Sequence, residues 1–306
     1  MRITSLLAGT ILLATPAALL AQGGAAHDMS SHDMSSHNMS SHNMSSHTTP
    51  NAVDDTALPP DAEHSLERLN ASPRHGQWVR VPTSNGDSLN AWIVYPERST
   101  RAPVVVVIHE IYGMSTWIRA VTDQLAADGF IAIAPDLTLS PKIPVGSDTL
   151  SNQEAVAAVS KLKPANVQAG IDAAAKYAMA LPSALQKYGV VGFCWGGTAS
   201  FAHAVHSPTL GASVVYYGTS PSAADLASVK APVLGLYGGS DARVVATVAP
   251  ADSVMKAMHK TYDPHIFEGA GHGFLRAQGG NNGANMAATR QAWPATIQWF
   301  RKYLGS

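Results

Sequence analysis

A single cysteine occurs in this chain of 306 residues, at position 194 within the stretch YGVVGFCWGGTASF. A lone thiol closes no internal disulfide, and Gly192, Gly196 and Gly197 crowd this one. Glycine serves where a backbone turns sharply or approaches another closely, so packing alone does not account for the neighbourhood. Three further reactive side chains follow apolar runs: Glu110 after VVVVIH, Asp241 after VLGLYGGS, and His272 after HIFEGAG. Cys194, Asp241 and His272 thus run in the order nucleophile, acid, histidine. A strand, a sharp turn and a helix spelled GxCxGG fit a nucleophile elbow, with Gly192 and Gly196 clearing room for an exposed side chain at the apex. The helix that follows brings unpaired amides and a positive end, which favour a thiolate and hold an oxyanion. The bland alternatives are a small buried hydrophobe for Cys194, a turn residue for Asp241 and a strand-end carboxylate for Glu110. His109, His203, His206, His259 and His265 match no motif and read as surface or internally satisfied histidines.

Elements must hold these groups, and the sequence spells them from Gln77 onward. QWVRVPT and SLNAWIVYP flank Asn85-Gly86 as a hairpin. PVVVVIHE and GFIAIAPD are continuous apolar runs, as in parallel strands buried on both faces. Between them, residues 115–128 place Ile118, Val121 and Leu125 on one helical face, with Gly129 as the stop. SNQEAVAAVSKL opens with a Ser151/Glu154 capping box, and Pro164 starts a helix through Val167, Ile171 and Ala178. Strand YGVVGF, a helix from Trp195, strands GASVVYYG and APVLGLYGG, a helix near 250–259, strand HIFEGA and a last helix holding Ile297, Phe300 and Leu304 complete the series. Alternating strand and helix predicts an α/β fold with a mostly parallel central sheet and helices on both faces. Ligands in such folds lie beyond the carboxyl ends of the strands, where all four reactive groups fall.

HEIYG, GFCWGG, GGSD and GAGHGF together resemble the dienelactone hydrolase family of α/β-hydrolases, over roughly residues 77 to 304. The resemblance implies the α/β-hydrolase fold and hydrolysis of a small ester or lactone without a cofactor for catalysis. By it, Cys194 is the nucleophile, His272 the general base and acid, and Asp241 the group orienting His272. Glu110 faces the thiol and helps control its protonation. The backbone amides of Ile111 and Trp195 hold the oxyanion, and Arg276 grips a substrate carboxylate. The family commonly brings a second arginine from the region after APDL, but here no arginine lies between Arg119 and Arg243, and Lys142 is an unproven substitute. A neutral or differently shaped ester or lactone is therefore easier to accept than a dienelactone.

The amino-terminal part reads differently. Residues 1–26 carry one charge at Arg2, an apolar run from Leu6 and small residues near Ala21 and Ala26, the anatomy of a secretory signal peptide. Thr10, Thr15 and Pro16 break the run, which is short of the roughly 20 apolar residues a span needs. Export to a periplasm or the exterior is the expectation, with no membrane attachment after cleavage. Residues 27–65 read as a disordered arm and linker. The arm repeats a five-residue unit that sets His27, His32, His37, His42 and His47 in register with Met29, Met34, Met39 and Met44. Thioether beside imidazole suits soft cations such as Cu(I) or Ag(I), and the segment is similar to Met/His-rich stretches of periplasmic copper- and silver-handling proteins. A soluble spacer is the competing reading.

The folded body is then assigned to residues 66–306. Net charge is −1, charged residues make up 13% and apolar residues 46%, so a large core needs no disulfides. The basic stripe of a nucleic-acid binder is missing. Two readings follow: a cysteine-nucleophile ester or lactone hydrolase, or a Cu/Ag-binding protein that keeps a hydrolase domain as scaffold. The sequence does not speak to oligomeric state.

Overall fold

The computed structural model describes residues 56–84, 86–138 and 150–305. The signal-peptide and Met/His-arm expectations, Asn85 and Lys142 lie outside the described residues. The strands are β1 (Gly76–Pro82), β2 (Ser88–Val94), β3 (Ala102–Ile108), β4 (Ile131–Pro135), β5 (Ala184–Phe193), β6 (Ala212–Tyr216), β7 (Val233–Gly238) and β8 (Tyr262–Phe267). They form one sheet in the order β1-β2-β4-β3-β5-β6-β7-β8. The pairings of β2 with β1 and with β4 are antiparallel, and every other pairing is parallel.

The helices are α1 (Ser65–Asn70), α2 (Thr116–Ala127), α3 (Asn152–Val159), α4 (Pro164–Met179), α5 (Trp195–His206), α6 (Ala223–Leu226), α7 (Ala242–Val245), α8 (Val248–Ala257) and α9 (Ala284–Leu304). The expected caps form: Ser115 accepts from the Ile118 amide, and Ser151 and Glu154 make a reciprocal capping box. The predicted helix near 250–259 runs two residues earlier, as α8. Short helices α1, α6 and α7 carry too few turns to show a period in sequence.

Every residue of β3 is buried, and its side chains alternate between two cores. Val104, Val106 and Ile108 pack with Ile171 of α4, Phe201 of α5 and Met255 of α8. Val105 and Val107 pack with Ile118 of α2 and with Ile297 and Phe300 of α9 on the opposite face. The α/β-hydrolase expectation, helices on both faces of a mostly parallel sheet, is thus met.

One boundary needs correction. The linker assignment ran to residue 65, yet Leu58 is buried among α2 and α9 residues, and Pro59 and Pro60 are buried beside it. Two prolines and small polar residues look like linker composition. Here proline carbonyls accept side-chain hydrogen bonds from the body, so the ordered body begins before residue 66.

Candidate active site

Parallel pairing of β3 with β5 puts Ile108 opposite Gly192. Three residues beyond each stand Ile111 and Trp195, so the two expected oxyanion amides leave neighbouring strand ends. Between Gly192 and Trp195 the chain turns at Cys194 with φ 57° and ψ −115°, a conformation that costs an L-residue on the order of 1–3 kcal/mol. The glycines make the turn feasible. A Cβ on Gly192 would lie 1.9 Å from the Gly196 carbonyl oxygen, and one on Gly196 would lie 2.3 Å from that of His109. The Cys194 amide donates to the Tyr216 carbonyl at 3.1 Å, which ties the elbow to β6. Trp195, at the first helical position, has no acceptor within its own helix for its amide.

His272 Nε2 lies 3.0 Å from Cys194 Sγ, and its Nδ1 lies 2.5 Å from Asp241 Oδ2. Nδ1–H donating to the carboxylate leaves Nε2 facing the sulfur. Asp241 is fixed in turn, because its other oxygen accepts from the Val244 amide and caps α7. The His272 pKa is raised to about 9, first by the hydrogen bond with Cys194 and then by Asp241, against the lowering effect of burial. Its loop is clamped by α9: Asn285 accepts from the Gly271 amide at 2.9 Å and donates to the Ala277 carbonyl at 2.7 Å. The result is a thiol, an imidazole and a carboxylate in one line, able to pass a proton between sulfur and ring while the ring's orientation is held.

Glu110 has a partner that the sequence did not suggest. Its carboxylate meets Arg276, with Nε 2.7 Å from Oε1 in an ion pair. Burial raises the Glu110 pKa to about 7, against the opposing charges of Arg276 and His272. Arg276 also lies over the Tyr112 ring, 5.0 Å from its centroid, and keeps about a third of its side chain exposed. Sequence spacing could not reveal this pairing, because the partners lie on segments far apart in the chain.

Tyr217 is a neighbour that the motif search missed. It follows β6 with φ 40°, its ring lies 5.2 Å from that of His272, and its hydroxyl is buried without a hydrogen bond among the described residues. The strand-end logic that found Glu110 and Cys194 applies equally to GASVVYYG and would have singled it out. His109 is buried and satisfied: Nδ1 bonds the Glu110 carbonyl, Nε2 accepts from the Leu137 amide, and the ring stacks on Trp195. His203 bonds Gln168 and Tyr188 between α4 and β5. Among the described residues, no group of three His, Cys, Asp or Glu side chains is placed to hold a metal ion.

A family model described as "Dienelactone hydrolase family" matches residues 89–304. A Methylorubrum extorquens protein carrying a carboxymethylenebutenolidase assignment is 33% identical over 239 residues, covering 74% of this chain and 80% of its own. An Escherichia coli K12 protein with the same assignment is 30% identical, covering 72% of this chain and 85% of its own. Among solved structures, one assigned as a dienelactone hydrolase from Klebsiella pneumoniae is 27% identical with a TM-score of 0.66, covering 75% of this chain and 99% of that one.

Proposed function

The chain belongs to the dienelactone hydrolase family, and on that footing we propose that it cleaves carboxylic esters or lactones with Cys194 as nucleophile, His272 as acid and base, and Asp241 as the group orienting His272. The observation that carries this reading is the unbroken line from Cys194 Sγ to His272 Nε2 and from His272 Nδ1 to Asp241 Oδ2.

Sγ, having given its proton to His272, attacks the carbonyl carbon, and the C=O electron pair moves onto oxygen. The amides of Ile111 and Trp195 take that oxyanion, the kind of stabilisation that is often the largest single contribution to catalysis. The imidazolium gives its proton to the leaving alkoxide, the C–O bond breaks, and a thioester remains on Cys194. The now neutral His272 accepts a proton from water as the oxygen adds to the thioester. Collapse expels the thiolate and frees the acid. In a lactone the alkoxide stays tethered, so the product is a single hydroxy acid.

Arg276 supports an anionic substrate group at the edge of the site, since a guanidinium matches a carboxylate and part of this one is exposed. No arginine lies between Arg119 and Arg243 to add a second fork, which favours substrates with one carboxylate or none. Met29, Met34, Met39 and Met44 with their histidines remain a proposed soft-metal arm on an exported protein, the reading favoured by the regular repeat alone. A peptide of residues 27–47 binding Cu(I) by calorimetry, and losing it when its methionines become leucine, is the expected result.

For the hydrolase, the test is turnover of a small activated ester by the wild type and Cys194→Ala. Loss of at least about 1000-fold is expected, together with a transient acyl adduct on the wild type by mass spectrometry. A variant keeping a tenth of the rate would refute the mechanism.

A further inference from the structure

Residues 58–62 lie outside the segment matched by the family model, which begins at residue 89, yet they are bonded to the loop that carries His272 and Arg276. The Ala62 amide donates to the carbonyl of Arg276 itself at 2.9 Å. The Gln278 side-chain amide donates to the Pro59 carbonyl at 2.8 Å and to the Leu275 carbonyl at 3.1 Å, so one buried side chain spans strap and loop. Trp117 of α2 donates from its indole to the Pro60 carbonyl at 3.0 Å. Leu58 is buried in the α2–α9 core, and Arg68 donates to its carbonyl at 3.3 Å.

The loop therefore has two fasteners of different origin. Asn285 of α9 bonds Gly271 and Ala277, bracketing His272 and Arg276 together. The strap bonds Arg276 and Gln278, on the half of the loop that carries the guanidinium. We propose that residues 58–62 are a positioning element specific to the Arg276 half of the site, holding that backbone so that the guanidinium stays between Glu110, Tyr112 and the carboxylate of an anionic ester or lactone. The proposal rests on the reading of Arg276 as the carboxylate-binding group. Ala62, which bonds the Arg276 carbonyl, and Gln278, which ties Pro59 to the adjacent Leu275 carbonyl, are positioning residues.

The strap's own chemistry fits this work. Pro59 and Pro60 carry no N–H to satisfy, so they lie buried with Leu58 while their carbonyls take donors from two separate elements. A buried acceptor stripped of its donor keeps its full desolvation cost, and the loss falls on the loop that the donor fastened.

The experiment compares two esters of similar size, one carrying a carboxylate and one neutral, on full-length Ala62→Pro and Gln278→Met variants. Ala62→Pro deletes the amide donor to Arg276, and Gln278→Met deletes the bridging donor at nearly constant volume. Each variant should lower the preference for the anionic ester, as a ratio of kcat/KM values, by about 3- to 10-fold, with the change in the KM of the anionic ester. On an Arg276→Ala background the same changes should move that ratio less than about twofold, because the partner they position is gone. Equal losses on both esters, or an undiminished effect without Arg276, would show general support of the fold and overturn the proposal. An Arg276→Ala enzyme whose preference equals the wild type's would instead remove the carboxylate reading, a distinct result since the strap variants need not be consulted to see it. If Ala62→Pro fails to fold, Gln278→Met decides alone.

Discussion

His272 and His203 are each near an aspartate, and the protein drives them to opposite protonation. His272 keeps 36% of its side chain exposed and has its pKa raised to about 9, first by the hydrogen bond with Cys194 and then by Asp241, which it touches at 2.5 Å. His203 has no exposed side-chain surface, lies 3.7 Å from Asp172, and has its pKa lowered to about 4, first by burial, with Asp172 opposing and His206 adding. The nearer aspartate is itself shielded, at 9% exposure, whereas Asp172 is 46% exposed. A carboxylate held close and out of water supports a cation, while one facing solvent is screened.

Hydrogen bonding completes the contrast. Neutral His203 is fully satisfied, since Nδ1–H donates to Gln168 Oε1 at 2.7 Å and Nε2 accepts from the Tyr188 hydroxyl at 3.1 Å, which also bonds Ser207. A second ring proton would meet Asp172 only at 3.7 Å, beyond hydrogen-bond reach, unless Tyr188 turns round. His272 faces the Asp241 carboxylate with one nitrogen and the Cys194 sulfur with the other, so each ring proton has a partner. Residue type does not separate the two sites; the company of each nitrogen does.

The largest effects should come from breaking the His272 side. His272→Gln should cut ester turnover by at least about 1000-fold, and Asp241→Asn by about 1000- to 10,000-fold, through loss of the ring's orientation and of the charge that stabilises its cation. His203→Gln should keep turnover within about threefold, since it is bonded to α4 and β5 residues and not to the thiol, a change too small to implicate a proton-transfer group. Steady-state kinetics on one activated ester decides among the three. A His203 variant as inactive as the His272 variant would erase the distinction.

Much of this contrast was legible in the sequence on one side only. The elbow at Cys194 and the strand-end positions of Asp241 and His272 were readable because each follows an apolar run ending in glycine-rich turns, a local signal. The strands and the longer helices were readable by period, and the Ser151–Glu154 box by spacing. The ion pair of Glu110 with Arg276 and the network of His203 with Gln168 and Tyr188 join distant segments, which no local pattern records. The strap at residues 58–62 was hidden by composition, since Pro59 and Pro60 suggest a linker until the donors from Trp117 and Gln278 are known.

Stability against pH should separate the histidines next. A histidine whose folded pKa lies below its unfolded value of about 6.5 favours folding fully above that pH and progressively less as pH falls toward the folded value. For His203 the window runs from about 6.5 down to about 4, and the loss across it is on the order of 3 kcal/mol. His272 has the reverse sign: its contribution is full below about 6.5 and is lost as pH rises through about 9. Urea unfolding at stepped pH should show His203→Gln flattening the acid limb and His272→Gln the alkaline limb. Both variants altering the same limb would contradict the assignment.

The smallest effect, and the sharpest test of the comparison, belongs to Asp172. In the wild type its carboxylate meets the exposed His206 at 3.0 Å and the buried His203 at 3.7 Å. If His203 is neutral in the fold down to about pH 4, Asp172 has no cation to pair with on that ring at neutral pH, and the exposed His206 contact is worth little. Asp172→Asn should then cost less than about 1 kcal/mol at pH 7. It should also leave the acid limb between pH 6.5 and 4 with its wild-type slope, because removing an opposing charge only pushes an already lowered pKa further down. Any added loss should appear below about pH 4, where His203 itself takes up its proton. The opposite result is equally readable. An Asp172→Asn variant with a shallower wild-type-to-variant difference at neutral pH but a changed slope between 6.5 and 4 would mean that His203 takes its proton inside the fold with Asp172 as partner. The two histidine–aspartate pairs would then differ in degree only, and exposure of the carboxylate would no longer explain why one of them serves a thiol and the other a helix interface.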